Sequence, residues 1–557
     1  MVEKIFKRCF VVGLVMVIAV YQGNIGVALA DTVIHEKVTD LDVPDQVNLT
    51  KSNEKIVRES KEIALDKGKE AGEKLLHIDS DKQYKEAVSE VLEKYYEQDE
   101  ITPQLESFTD MVKPCAEEEV SDYKEAYEER MESDSLSYNP EKVILRFRND
   151  ISDSSIQEAM EVISDGGTLV SEEEIDSDLP AYKRDRIMKA KESRKKYKVA
   201  VADLSLAQST DKAIDSYKQL EGVCSAEKDQ ILEVSSESKV DKARASYASL
   251  SDPYFSQQWS MMQTNVWHAW CMLYAYRNFT YQTWVAVIDS GVDMDHEDLQ
   301  GQFMERYCVD ITKPGYPFLT NTSPQYTSYH GTHVAGIINA KQGNPYGIAG
   351  VAAYTDGKDD RILSCKLMAI KATQQADIYN SSDVINAIYY ATDKGADIIN
   401  LSMGSSSYNS SFKAAIDYAY EAGVTVVAEA GDNGKNMTYY PADYNHVISV
   451  ISTNNNKQKT DTSNFGAKDI SAPGANILST LPGDQYGINS GTSMAAAFVT
   501  GVVALMKEAD YLLKPDDLTH MVTSTATDIG AKGYDPETAN GLIYPYGALQ
   551  KALSRYK

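Results

Sequence analysis

The sequence predicts an α/β fold: a mostly parallel sheet flanked by helices, preceded by a smaller α+β domain. Two observations carry this. After about residue 250, apolar runs at 284–288, 367–370, 398–401, 424–428 and 447–451 alternate with helical patterns. Runs of that texture suit a parallel sheet buried on both faces. Before them, 141–236 reads β-α-β-β-α-β, the split βαβ order.

Taken in order, 143–147 is a strand. Ile156, Met160 and Ile163 mark a helix face, closed by Gly166-Gly167. Leu169-Val170 begins a second strand, and a charged insertion follows around 173–196. Then come a strand at 199–201, a helix face at Ile214, Tyr217 and Leu220, and a strand at 231–234. The polar stretch 236–250 reads as a linker. Residues 31–137 are rich in Glu, Lys, Asp and Ser; Val88, Val91, Leu92, Tyr95 and Tyr96 suggest one amphipathic helix in a solvated segment.

The chain has 557 residues, 43% hydrophobic, enough for about three domains at ~100–200 residues each. Its formal net charge of −28 argues against a nucleic-acid partner, which needs clustered Lys and Arg. It suits a soluble extracellular protein. Lys4, Lys7 and Arg8 precede an apolar run over 9–21, then Ala28-Leu29-Ala30, the layout of a cleaved secretory signal. Residues 1–30 are therefore read as a signal peptide. No later run reads as long enough to span a bilayer, so a secreted protein with no stable membrane anchor is expected. Six cysteines are too few for a disulfide scaffold, and sequence does not pair them.

Three stretches carry chemistry. VAVIDSGVDMDHED at 285–298 ends a strand at Asp289, where open α/β sheets bind ligands. HGTHVAG spans 330–336. SGTSMAAAFVTGVVALM at 490–506 places Ser493 at the start of a helical run. A serine hydroxyl needs a positioned base, histidine titrates near working pH, and a buried carboxylate orients the imidazole. A helix start adds a positive dipole end beside the serine. A zinc site on His330 and His333 lacks an H-E-x-x-H pattern and a third ligand.

In the order Asp, His, Ser, these motifs resemble the subtilisin family of serine proteases, the subtilases. The likeness covers roughly residue 252 to the C-terminus. It implies Asp289 as orienting acid, His330 as general base, Ser493 as nucleophile and a structural His333. Asn400-Leu401-Ser402-Met403-Gly404 resembles the substrate-binding strand, which pairs with peptide backbone; Gly431 would join Ser402, Met403 and Gly404 there. Ala472-Pro473-Gly474 matches a loop near the end of the catalytic domain.

The 138–250 segment, with its linker, is similar to the family's propeptide, an intramolecular chaperone and inhibitor. The processing cut is expected between about 236 and 252. Residues 31–137 would be an acidic helical pro-region and 251–557 the peptidase domain. A structural calcium ion (Ca2+) is implied, since Ca2+ takes carboxylate and carbonyl oxygens. Asp252 and Asp298 would be ligands, with the Asn344 side chain and the carbonyls of Gln342, Tyr346 and Ile348.

The chain departs from the family at VVAEAGDNG, 426–434. Asp432 stands where the family has the Asn whose amide donates to the oxyanion. An ionised Asp has no proton to give. A protonated Asp432 donating its O–H, Asn433 swinging in, or an impaired site each accounts for this. Glu429 flanks the pocket for the residue before the scissile bond. In that pocket it would favour Lys or Arg; otherwise it faces solvent. Ala497 replaces a family proline. The expected function is a secreted serine endopeptidase, autoprocessed from a zymogen, acting on protein or peptide substrates. A dedicated maturation protease and a non-catalytic pseudoprotease are the alternatives.

Overall fold

The structure, a computed structural model, describes residues 137–170, 175–194, 197–204, 209–234, 237–242, 252–276, 281–319, 326–353 and 365–556. The expected signal sequence and the helix expected around Val88 lie outside the described residues. Leu136–Asp203 with Ile214–Lys557 forms one compact unit. The other, Met1–Ser135 with Leu204–Ala213, falls almost wholly outside the described residues.

The chain runs β1 (Tyr138–Arg148), α1 (Asp153–Ile163), β2 (Gly167–Leu169), α2 (Ala181–Arg194), β3 (Tyr197–Asp203), α3 (Thr210–Lys218), β4 (Val223–Glu233) and β5 (Glu237–Lys242). Ser152 caps α1 by accepting from Ser155 N, and Ile156 and Met160 bury its apolar face. β1 is antiparallel to β3 and β4, and β2 to β3. β1 and β2 therefore run the same way with β3 between them, the split βαβ order. The charged insertion adds helix α2, which that order lacks. Its buried apolar positions are few, Ile187 and Ala190, so no helical period announces it.

Then follow α4 (Trp259–Thr264), α5 (Val266–Tyr276), β6 (Trp284–Asp289), β7 (Val309–Asp310), α6 (His330–Asn339), β8 (Lys366–Lys371), β9 (Ile378–Asn380), α7 (Ser381–Asp393), β10 (Ile398–Leu401), α8 (Ser410–Glu421) and β11 (Thr425–Glu429). The chain ends with β12 (Val447–Thr453), β13 (Ile470–Pro473), β14 (Ile477–Leu481), β15 (Gln485–Ser490), α9 (Thr492–Ala509), α10 (Pro515–Ser524) and α11 (Pro545–Leu553).

The main sheet has the order β13-β12-β11-β10-β6-β8-β7, and all its pairs are parallel. Successive side chains of β6 serve opposite cores. Val285 and Val287 pack in the core with Val334 and Val499; Ala286 and Ile288 pack with Ile385 and Phe412. Burial on both faces explains the unbroken apolar runs. α9 corrects one expectation: by length and composition it could cross a membrane, yet it is fully buried as a core helix.

A second correction concerns 236–250. Within that expected linker, β5 pairs antiparallel with β15 as the edge of a three-stranded sheet. Backbone groups make this pairing, so its polar sequence carries little sign of it.

The small domain docks through β4. Ile231, Leu232 and Glu233 pair antiparallel with Asn380, Tyr379 and Ile378 of β9. Glu227 accepts from the N–H groups of Ser410 and Ser411 at the start of α8, and Asp229 from Ser382 N near the start of α7. Unpaired N–H groups at helix starts favour such acids. Leu179, Ile187 and Leu232 join the core of Ile385 and Phe412.

Candidate active site

Parallel pairing brings three strand ends together. Leu401 is opposite Ile288 on one side and Ala428 on the other. Asp289, Ser402 and Glu429 therefore emerge at one carboxyl edge, where such sheets bind ligands. His330 opens α6 and Ser493 lies in the first turn of α9 over that edge.

His330 Nδ1 is 2.9 Å from Asp289 Oδ1, and both side chains are buried. Ser290 N donates to Asp289 Oδ1 at 2.7 Å and Tyr379 Oη at 3.3 Å, so the carboxylate is held from three sides. Burial alone would lower the His330 pKa; the charge of Asp289 and its hydrogen bond outweigh burial, and the net shift is upward. Glycine is required at 331, where a Cβ would sit 2.2 Å from the Gly291 carbonyl oxygen. His333 Nε2 bonds the Ile477 carbonyl at 3.1 Å. Burial, then the charge of His330, lowers its pKa to about 3, so it stays neutral.

Ser493 is turned elsewhere. Its Oγ is 2.5 Å from Glu429 Oε2 and 3.3 Å from the Ser402 carbonyl oxygen. Among the described residues, His330 Nε2 and Glu429 Oε1 are buried without a hydrogen-bond partner. Glu429 is not solvent-facing: it is 0% exposed, and its carboxyl meets the nucleophile. Burial first, then the charge of Asp432, raises its pKa to about 8.

Asp432 meets the same helix start. Its Oδ2 and Oδ1 accept from Thr492 N at 2.9 and 3.2 Å. Asn433 Oδ1 accepts from Asn464 Nδ2, and Asn433 N donates to Asn464 Oδ1. Gly431 has φ +86°, and a Cβ there would lie 2.5 Å from Asn464 Nδ2.

Ser402 and Gly404, expected to line a substrate strand, flank the buried Met403. Ser402 Oγ donates to the Ser493 carbonyl, and Gly404 exchanges two 3.0 Å backbone bonds with Glu233. The last residues of β4 thus lie along this edge as an added strand.

The residues expected to hold calcium also converge. Asp252 Oδ1 accepts from Gly343 N; Asp298 accepts from Asn344 Nδ2 and Ile348 N. Both carboxylates are buried. Burial, with the charge of Asp298 adding, pushes Asp252 up to about 7, and burial pushes Asp298 up to about 6. Two buried acids beside the loop of Gln342, Asn344, Tyr346 and Ile348 suit a hard cation; here the loop meets them with N–H donors, and Asn344 Oδ1 accepts from Tyr346 N. Among the described residues no group of three or more His, Cys, Asp or Glu forms a metal cluster.

Sequence reasoning did not find Tyr379 or Thr492. Neither sits in a motif of its own; only the approach of β9 to β6 and the turn into α9 gives them roles.

A family model described as the subtilase family matches residues 281–541. The chain is 39% identical over 224 residues to a thermophilic serine proteinase of Bacillus sp. (strain AK1), covering 40% of this chain and 51% of that one. It thus spans about half the length of that relative. It is 34% identical over 303 residues to thermitase of Thermoactinomyces vulgaris, covering 54% of this chain and 99% of thermitase. The crystal structure of fervidolysin from Fervidobacterium pennivorans, titled a keratinolytic enzyme related to subtilisin, aligns with TM-score 0.57 and 25% identity, over 74% of this chain and 61% of that one.

Proposed function

The chain belongs to the subtilase family, and on that premise we propose that it is a secreted serine endopeptidase that cuts peptide bonds through an acyl-enzyme and processes itself from a zymogen. The observation that carries this is the Asp289–His330 hydrogen bond at the strand edge where Ser493 stands in the first turn of α9. In this reading His330 takes the Ser493 proton as Oγ attacks the scissile carbonyl, and Asp289 steadies the imidazolium. The oxyanion forms beside the α9 N-terminus and the Asp432–Asn433 edge. His330 then protonates the leaving amine, and water releases the acyl group.

The zymogen reading is supported by β4, whose tail holds Gly404 as a substrate strand would. We place the processing cut between Val234 and Glu237. That interval joins the strand on the Ser402–Gly404 edge to β5, which pairs with the strand leading to Ser493. This straddles the start of the expected 236–252 interval and extends slightly before it. Residues 138–234 then act as the chain's own inhibitor. Secretion rests on the charged start, apolar run and Ala28-Leu29-Ala30. A calcium ion held by Asp252, Asp298, Asn344 and the carbonyls of Gln342, Tyr346 and Ile348 would brace the start of the peptidase domain.

Labelling of Ser493 by a fluorophosphonate, with Ser493→Ala as blank, tests the reading. Labelling with casein cleavage supports it; a folded, unlabelled protein favours the pseudoprotease alternative. A broad casein pattern favours general digestion over one dedicated precursor.

A further inference from the structure

Ser493 has one hydroxyl proton and two claimants. His330 must receive it for attack, yet Oγ lies 2.5 Å from Glu429 Oε2 while His330 Nε2 is buried without a partner. Which group donates in the 2.5 Å bond depends on Glu429. If Glu429 is a carboxylate, only Ser493 can donate, and its proton is spent there. If Glu429 is the acid, its own O–H donates to Oγ. The serine proton is then free for His330. We propose that Glu429 is a catalytic residue that gates the nucleophile: as the acid it leaves the serine proton to His330, and as the carboxylate it captures that proton's hydrogen bond. This rests on Asp289, His330 and Ser493 being the triad.

The surroundings favour the acid form at neutral pH. Glu429 is 0% exposed and its Oε1 has no partner, a poor setting for a full charge. Asp432 faces it from the following turn, Thr492 Oγ1 lies 3.3 Å away at the start of α9, and His330 faces it from α6. His330 carries Asp289 on its far nitrogen and feels Asp377 nearby. Burial and Asp432 raise the Glu429 pKa; Ser493, Thr492 and a charged His330 oppose them, with a net rise to about 8.

The signs follow. His330 works once deprotonated, so activity rises as pH passes its pKa. Glu429 works while protonated, so activity falls as pH passes about 8.

The test is kcat/KM and the rate of fluorophosphonate labelling from about pH 5 to 10. It uses processed wild type, Glu429→Gln and Glu429→Ala, with uncut Ser493→Ala as the blank and thermal melts as a check of folding. The wild type is expected to lose about tenfold per pH unit above its alkaline midpoint. Glu429→Gln, which cannot ionise, and Glu429→Ala should stay flat there. A descending limb unchanged in both variants overturns the gate. So does a folded Glu429→Gln that neither cleaves nor labels at any pH, because Glu429 would then be the base itself. A wild type unlabelled at every pH overturns the triad reading, and the gate with it.

Discussion

Lys183 Nζ lies 2.9 Å from Asp397 Oδ2, with both side chains buried. The lysine comes from α2, the helix of the charged insertion; the aspartate precedes β10. Lys183 also donates to the Gly395 carbonyl at 2.7 Å and sits 3.8 Å from the Trp284 ring centroid. Burial disfavours both charges. It prevails at Lys183, whose pKa falls to about 8 with one anion opposing it. At Asp397, Lys183, Lys507, Arg186 and the Tyr281 hydroxyl together outweigh burial and lower the pKa to about 2. Both groups are charged at neutral pH.

Breaking a buried pair from one side costs roughly 3–5 kcal/mol. Lys183→Met in a Ser493→Ala background, which stays uncut, is therefore expected to lower the unfolding free energy by about that amount. The Asp397 share is complete above its ordinary pKa of 3.8 and drains away as pH falls toward about 2. Denaturant melts at neutral pH check the first expectation; an unchanged midpoint refutes it.

N-terminal sequencing of the processed enzyme should read a first residue between 235 and 237. The neighbouring pairings Glu233–Gly404 and Glu237–Ser490 set this window. A first residue well beyond 237 would show that the β4 tail is not the strand presented to Ser493.

Asp432→Asn should raise kcat. The amide oxygen can still accept from Thr492 N, while its N–H2 offers the oxyanion a donor that the carboxylate lacks. One such donor is worth about 10²–10³ in turnover, a scale set by subtilisin itself. An unchanged rate and pH profile would mean that position 432 does not touch the oxyanion.

A chelator should lower the melting temperature of the processed enzyme. Calcium at a hundred times its Kd adds about 2.7 kcal/mol, roughly 4 °C for a domain of about 300 residues. Asp298→Asn should melt lower at the outset and respond little to chelator. Equal melting curves with and without chelator would remove calcium from the account.

The sequence by itself determined the chemistry available. Apolar runs name the strands, because a strand buried on both faces has no polar side to interrupt it. Asp289, His330 and Ser493 stand out because each sits in a local motif at the end of a strand or the start of a helix. The tertiary structure alone decided what the isolated acids and bases do. Glu429 reads as pocket lining or surface until β11 and α9 close on each other and aim its carboxyl at Ser493. Lys183 reads as one charge in a polar insertion until α2 lies beside Asp397. Tyr379 has no role until β9 approaches β6. The physical reason is common to all three: helical and strand periods are set by neighbours in sequence, whereas the worth of a buried charge is set by partners that only folding brings near.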